Sequence, residues 1–450
     1  MRERLFEIWF SLRCGVANRE FIRVLEQCGS PYQVFTADES ELERLPCGER
    51  LKQALADRNL EEADRIACFC EKNDVHILFW QDADYPASLR TLMDPPLLLY
   101  YRGRLPDFAH LLCISTVGTR TMSAYGKRMA YKIGYELGAA GAVVVSGMAL
   151  GVDSVAAAGA MAAGGHTVAV LGCGIDVVYP REHETLRDAI IARGTVITEY
   201  PPSTPPSGSH FPVRNRIISG LSQATVVVEA GVNSGALITA KDAIMQGRGI
   251  YAVPGNVGED NTSGTNRLIR DGAAVALCAR DILEDFTFLY REYLNMGKLL
   301  WAEQHSEPDD SLLAQYGVSL RIRPEKRPTN PANEGRQTGN QGRQRPGDTA
   351  RRRDRQPDRS VPADKAGTTA PGDTPAAPVP APAPDNSRAV LDSLTPTQRA
   401  LFELLPLDHA VLVDALTREG YTTGEVVAAM TVLEIKGLVD ALPGGLYARR

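Results

Sequence analysis

The chemistry-bearing residues of this chain gather in five short segments. The most telling is Ser207-Gly208-Ser209-His210-Phe211-Pro212-Val213-Arg214-Asn215-Arg216, where Phe211 is followed by two arginines flanking an asparagine. A guanidinium fork matches phosphate oxygens, and a neighbouring ring offers a π-face to an unstacked base. That set suits nucleic acid better than a small neutral metabolite. The competing reading is a solvated loop with incidental arginines. The other segments are Val117-Gly118-Thr119-Arg120 running on to Lys127, Ser146-Gly147-Met148-Ala149-Leu150-Gly151-Val152-Asp153, Leu171-Gly172-Cys173-Gly174, and Ser234-Gly235 with the residues around it. Glycine lets backbone amides approach a ligand, and a helix start after it favours an anion. Five anion-ready segments in one chain point to a polyanion.

Several other chemistries are absent. No Gly-Lys-[Ser/Thr] follows Gly118, so this is not a phosphate-binding P-loop, and the Gly172/Gly174 pair lacks the third glycine of a dinucleotide fingerprint because position 177 is valine. The seven histidines form no HxH, HExxH or HxxxH pattern, and the eight cysteines form no CxxC. Neither a metal nor a cofactor is expected. No G-x-S-x-G nucleophile elbow occurs. Asp153 and Glu229 could pair as acid and base, although Asp153 serves equally well as the cap of a helix.

These segments need a frame that brings them together. Val- and Ile-rich runs at 112–117, 143–145, 167–171, 195–198, 225–229, 250–253 and 274–277 alternate with helical stretches, the clearest at 127–140. Such alternation predicts parallel β-α-β units with helices on both faces. The fold expected is α/β, an extended Rossmann-like doubly wound parallel sheet over residues 73–295, with buried strands also at 75–79 and 97–101. Each of the five segments then lies at a strand's C-terminal end, where open sheets bind ligands.

At 450 residues the chain has room for about three domains. Residues 1–72 read as a small helical domain of the helix-hairpin-helix or SAM-like type. Residues 296–388 read as a helical extension and a disordered Arg/Pro-rich linker, since 321–388 hold 14 Lys/Arg, 8 Asp/Glu and 12 prolines, and no aromatic side chain occurs between Tyr316 and Phe402. Residues 389–450 read as a winged helix, with helices at 398–405, 411–419 and 423–436 before a hairpin. The stretch 422–436 has two glutamates and one lysine, which favours a protein-interaction role over duplex recognition. The linker's net charge of +6 leaves −12 for the rest of a chain totalling −6, so binding of an anionic polymer requires a local basic site. No run of 18 apolar residues occurs, and the mixed-charge start is unlike a secretory signal. A cytoplasmic protein without a membrane span is expected.

The five segments, together with Tyr179-Pro180, Val253-Pro254-Gly255, Gly264-Thr265-Asn266-Arg267 and the closing Leu433-Glu434-Ile435-Lys436-Gly437-Leu438-Val439, resemble the DNA-processing protein A family (DprA, also called Smf). The resemblance runs over about residues 75–290 in order and spacing. It implies a homodimer that binds single-stranded DNA and loads the RecA recombinase in natural transformation and recombination, with no catalytic turnover. Carried over residue by residue, the DNA-facing positions are Gly118, Arg120, Ser146, Gly147, Phe211, Arg214, Asn215 and Arg216. Ser234, Gly235 and Lys127 complete the expected edge. Leu150 stands where the family commonly has arginine, and Ala157 where it commonly has histidine. The alternative is an enzyme of the same fold, a nucleotide phosphoribohydrolase; the Pro-Gly-Gly and glutamate of its catalytic loop are missing from 230–239.

Overall fold

The computed structural model describes residues 4–323, 394–405, 411–412, 421–436, 438–442 and 446–449. The chain divides into two compact units, Met1–Gly339 and Asn340–Arg450. The Arg/Pro-rich stretch expected as a linker lies outside the described residues from 324 to 393.

The first unit is built on a nine-stranded sheet in the order β1-β2-β6-β5-β4-β3-β7-β8-β9. Its strands are β1 (His76–Phe79), β2 (Leu98–Gly103), β3 (Cys113–Val117), β4 (Val143–Ser146), β5 (Thr167–Leu171), β6 (Thr195–Thr198), β7 (Ala224–Val227), β8 (Gly249–Ala252) and β9 (Ala274–Val275). From β6 to β9 every pairing is parallel. The expectation of a parallel sheet needs one amendment: β2 runs antiparallel to β6, and β1 antiparallel to β2. The β1–β2 connection contains only the four-residue helix Ala87–Arg90, so it lacks the packed crossover helix that usually joins a parallel pair.

Alternation along the strands feeds two apolar layers. Val144 and Ile114 join one cluster, Val143, Val145 and Cys113 the other. Against the first face lie the helices Ala124–Ala139 and Val152–Ala162; against the second lie His210–Gly220 and Ala236–Met245. The first two helices approach unusually closely. A Cβ on Gly134 would stand 2.2 Å from the Ala156 carbonyl oxygen, and one on Gly159 would stand 2.5 Å from that of Tyr131.

The N-terminal helices do not form a separate core. Ile8, Trp9, Phe21 and Leu55 belong to the same apolar cluster as Val144 and Met129, so the boundary expected at residue 72 separates no two cores. Residues beyond 295 are likewise integral. Leu299, Leu313 and Tyr316 join that cluster, and the chain then returns to the end of β3, where Met122 donates to the Arg321 carbonyl (3.0 Å) and Arg323 to that of Met122 (2.8 Å).

The second unit holds the helices Pro396–Glu403 and Thr423–Ile435 and a three-stranded sheet ordered β10-β12-β11, with β10 (Val411–Leu412), β11 (Val439–Leu442) and β12 (Leu446–Arg449). Both helices open on a capping box, Thr395 with Gln398 and Thr422 with Glu425. The helix expected over 411–419 is corrected at its start, where Val411 pairs with Tyr447 as a strand; residues 413–420 lie outside the described residues. Extended pairing wins there because two β-branched or apolar residues complete the hairpin's edge.

The tight helix crossing yields a stability test. Gly134→Ala should lose at least about 1–3 kcal/mol through overpacking, whereas Gly235→Ala, where a Cβ meets nothing within 4 Å, should stay within about 0.5 kcal/mol of the parent. Urea unfolding of both variants checks this; equal stabilities would show that the crossing relaxes.

Candidate nucleic-acid interface

Strand β3 lies between β4 and β7, and the connections from β3 and β7 leave to opposite faces of the sheet. That is a topological switch point, and a crevice opens beyond the strand ends there. It is a cleft of about 670 Å³ lined by Gly118 and Arg120 after β3, Ala149 and Asp153 after β4, Phe211, Arg214 and Asn215 after β6, and Ser234 and Gly235 after β7. A small recess beneath Phe211 and Tyr179 adjoins it, bordered by Gly147, Gly172 and Arg214.

The cleft is organised around one ring. Phe211 stacks on Tyr179 with centroids 5.2 Å apart and planes at 29°. The Arg120 guanidinium lies 5.6 Å from the Phe211 centroid and that of Arg214 lies 6.0 Å from it, both within cation–π range. Gly172 lies against the ring's Cδ1–Cε1 edge, since a Cβ there would come within 3.0 Å of Phe211 Cδ1.

The two arginines differ in what they can offer. Arg214 is 5% exposed. Its Nη1 donates to the Gly147 carbonyl at 3.0 Å and to that of Val170, and its Nε donates to Asn215 Oδ1 at 3.3 Å. A Cβ on Gly147 would stand 2.5 Å from Arg214 Nη2, so only glycine admits the guanidinium. The Gly147 amide donates in turn to Asp153 Oδ2 at 2.9 Å. Burial pulls the Arg214 guanidinium down to about 10 against the attraction of Asp153, and burial raises the Asp153 carboxyl against that of Arg214. Desolvation thus outweighs Coulomb attraction at both groups, although Arg214 remains a cation at neutral pH. Arg120, by contrast, is exposed and makes no ion pair among the described residues. It is the cation available to a ligand.

The chain has relatives among known proteins. The family model described as DNA recombination-mediator protein A matches residues 76–287, and the DprA winged helix domain matches residues 374–445. The DNA processing protein DprA of Streptococcus pneumoniae is 34% identical over 288 residues, 63% of this chain and 98% of that protein. DprA of Bacillus subtilis is 37% identical over 221 residues, 49% of this chain and 74% of that protein.

This chain belongs to the DprA family.

A crystal structure of DprA from Streptococcus pneumoniae shares the fold with a TM-score of 0.55 and 31% identity, covering 62% of this chain and 97% of that one. Of the positions carried over from the DprA pattern, Gly118, Arg120, Phe211, Arg214, Asn215, Ser234 and Gly235 line the cleft, and Gly147 lines the recess. Three expected positions lie elsewhere. Ser146 is buried as the last residue of β4, its Oγ accepting from the Met148 amide at 3.4 Å. Lys127 is drawn to Asp310 of a later helix. Arg216, expected beside Phe211, points to the opposite side of its helix, because residues two apart on a helix do not share a face. There its Nη2 donates to both oxygens of Glu199, at 3.0 and 2.8 Å, and both side chains are buried. Tyr179 was the converse case: its motif was visible, but nothing in the spacing announced that it would reach Phe211.

The two carboxylates considered as an acid–base pair are engaged with backbone. Asp153 holds the Gly147 amide, and Glu229 Oε2 accepts from the Ser123 amide at 2.9 Å, at the start of the Ala124–Ala139 helix. Glu229 borders a different cleft, of about 610 Å³, together with Glu259 and Arg323.

Arg216 therefore belongs to the fold. Arg216→Ala should cost about 3–5 kcal/mol by stranding a buried carboxylate, seen in denaturant unfolding. The double change Arg216→Met/Glu199→Leu should recover most of it. A single variant as stable as the parent would mean that Glu199 finds water or another donor.

Proposed function

We propose that this chain binds single-stranded DNA in the cleft and delivers it to the RecA recombinase during natural transformation and recombination. The observation that carries the reading is the exposed Arg120 guanidinium over the Phe211–Tyr179 stack. A cation above stacked rings meets a phosphate and a base of the same nucleotide, and only an unpaired base presents a free π-face. Folded parts that are acidic on balance leave this cleft as the local basic site. The family description, DNA recombination-mediator protein A, and the relatives' name, DNA processing protein, support DNA as the polymer and recombination as the setting. Gly118, Ser234 and Gly235 bring backbone close to the strand, Gly147 serves it only through Arg214, and Asn215 adds an amide.

The protein acts without turnover, as a homodimer in the cytoplasm. Both candidate catalytic carboxylates already serve backbone amides, which counts against the phosphoribohydrolase alternative. No described helix is long and apolar enough to cross a membrane. For the dimer, the two-residue edge strand β9 carries exposed Val275, and exposed Leu277, Phe288 and Leu289 follow it. An open edge, followed in the chain by exposed apolar side chains, suits a second copy.

With Arg120 as the exposed cation and Arg214 fixed to carbonyls, the cleft supplies one or two phosphate contacts. Log K for a single-stranded oligonucleotide should fall with log[salt] at about −0.7 per contact. Arg120→Ala should flatten that slope by about 0.7, and Arg120→Glu should bind more weakly still. The measurement is fluorescence anisotropy at several salt concentrations, and an unchanged slope in Arg120→Ala places the phosphate contact elsewhere. Incubation with AMP should release no base above a buffer blank.

Delivery is tested separately. On a strand pre-covered by single-strand-binding protein, the full chain should raise the DNA-dependent ATP hydrolysis of RecA, and Leu289→Glu should be monomeric by light scattering. No stimulation at any ratio rejects loading; a variant that stays dimeric rejects the apolar segment after β9 as the dimer surface.

A further inference from the structure

We propose that Tyr179, for which no role has been assigned, is the surface on which a base of the bound strand stacks, and that Phe211 is the spacer holding it in place. The inference rests on the single-strand reading of the same cleft. Phe211 already has its neighbours: Tyr179 at 5.2 Å, the Arg120 and Arg214 guanidinium groups at 5.6 and 6.0 Å, and Gly172 against its edge. A base reaching Phe211 must first displace one of them. Tyr179 is 37% exposed, lines both the cleft and the recess, and has Phe211 as its one aromatic partner among the described residues. Its hydroxyl makes no hydrogen bond among the described residues. The ring is thus backed by Phe211 and partly exposed to the cleft, which suits a stacking platform.

The stack also explains why the cations lie where they do. Guanidinium groups over Phe211 polarise the ring under Tyr179, and Arg120 lines the same cleft and recess as Tyr179, able to meet the phosphate of a stacked nucleotide. Binding by Tyr179 is sequence-tolerant, because every base has a π-face.

The test uses the full chain and two oligonucleotides of equal length and charge, one of thymidines and one of abasic sites. Tyr179→Ala should weaken binding of the thymidine strand about tenfold, within the range that stacking confers, without changing binding of the abasic strand or the salt slope. Tyr179→Phe should match the parent. Tyr179→Trp places an indole where no native tryptophan lines the cleft, and its emission should be quenched by the thymidine strand and not by the abasic one. Equal loss for both strands in Tyr179→Ala would mean that the residue only shapes the cleft, and overturns the inference. So does a Tyr179→Trp signal blind to bases, or a parent-like Tyr179→Ala. A parent chain that binds neither oligonucleotide sinks the single-strand reading and this inference together; a parent that binds while Tyr179→Ala is unaffected sinks this inference alone.

Discussion

A guanidinium buried at the end of a parallel sheet governs the shape of the cleft. Arg214 gives up solvent for the carbonyls of Gly147 and Val170, and those carbonyls are fixed because they belong to the ends of β4 and β5. The cation in turn limits what can surround it. Gly147 must lack a side chain, Asp153 must hold the Gly147 amide from the other direction, and Phe211 must lie across the charge. A buried charge is tolerated only when its donors are satisfied, and here the acceptors come from backbone whose position the sheet dictates. Arg214 thereby converts strand register into the placement of an aromatic ring.

Most of the frame was legible because it rests on periodicity. The strands from β3 to β8 fall within one or two residues of their expected bounds, since Val- and Ile-rich runs alternating with helices leave little freedom. Antiparallel β1 and β2 were not, because a short apolar run carries no information about strand direction. The site was legible in its loops and less so in its side chains. Arg214 and Arg216 look equivalent in the sequence, yet one residue between them on a helix sends them to opposite sides, one under the ring and one to Glu199. Only its charge marks Lys127 in the sequence, and Asp310, 183 residues later, claims it. Pairings at that range are decided by tertiary packing, which no local pattern records.

The Glu199–Arg216 pair links the cleft to the N-terminal helices. Glu199 follows β6, Arg216 is on the helix that carries Phe211 and Arg214, and the Ala17 amide donates to Glu199 Oε1 at 3.3 Å. Around this junction lies a cavity of about 420 Å³ bordered by the turn at 15–17 and by Tyr200 and His210, the latter two rings stacked 4.4 Å apart. The N-terminal helices therefore buttress the helix that carries Phe211 and Arg214 from behind while leaving its front open.

The glycines of the cleft divide it into a floor and a rim. Gly147 and Gly172 are hemmed in by Arg214 and Phe211, while a Cβ on Gly208 or Gly235 meets nothing within 4 Å. The floor is closed to variation, and the rim is vacant ground. A lineage, or an engineer, can add a cation or a ring at Gly208 or Gly235 and regrade the chemistry of the cleft's mouth, leaving the interior that holds the ring in place untouched.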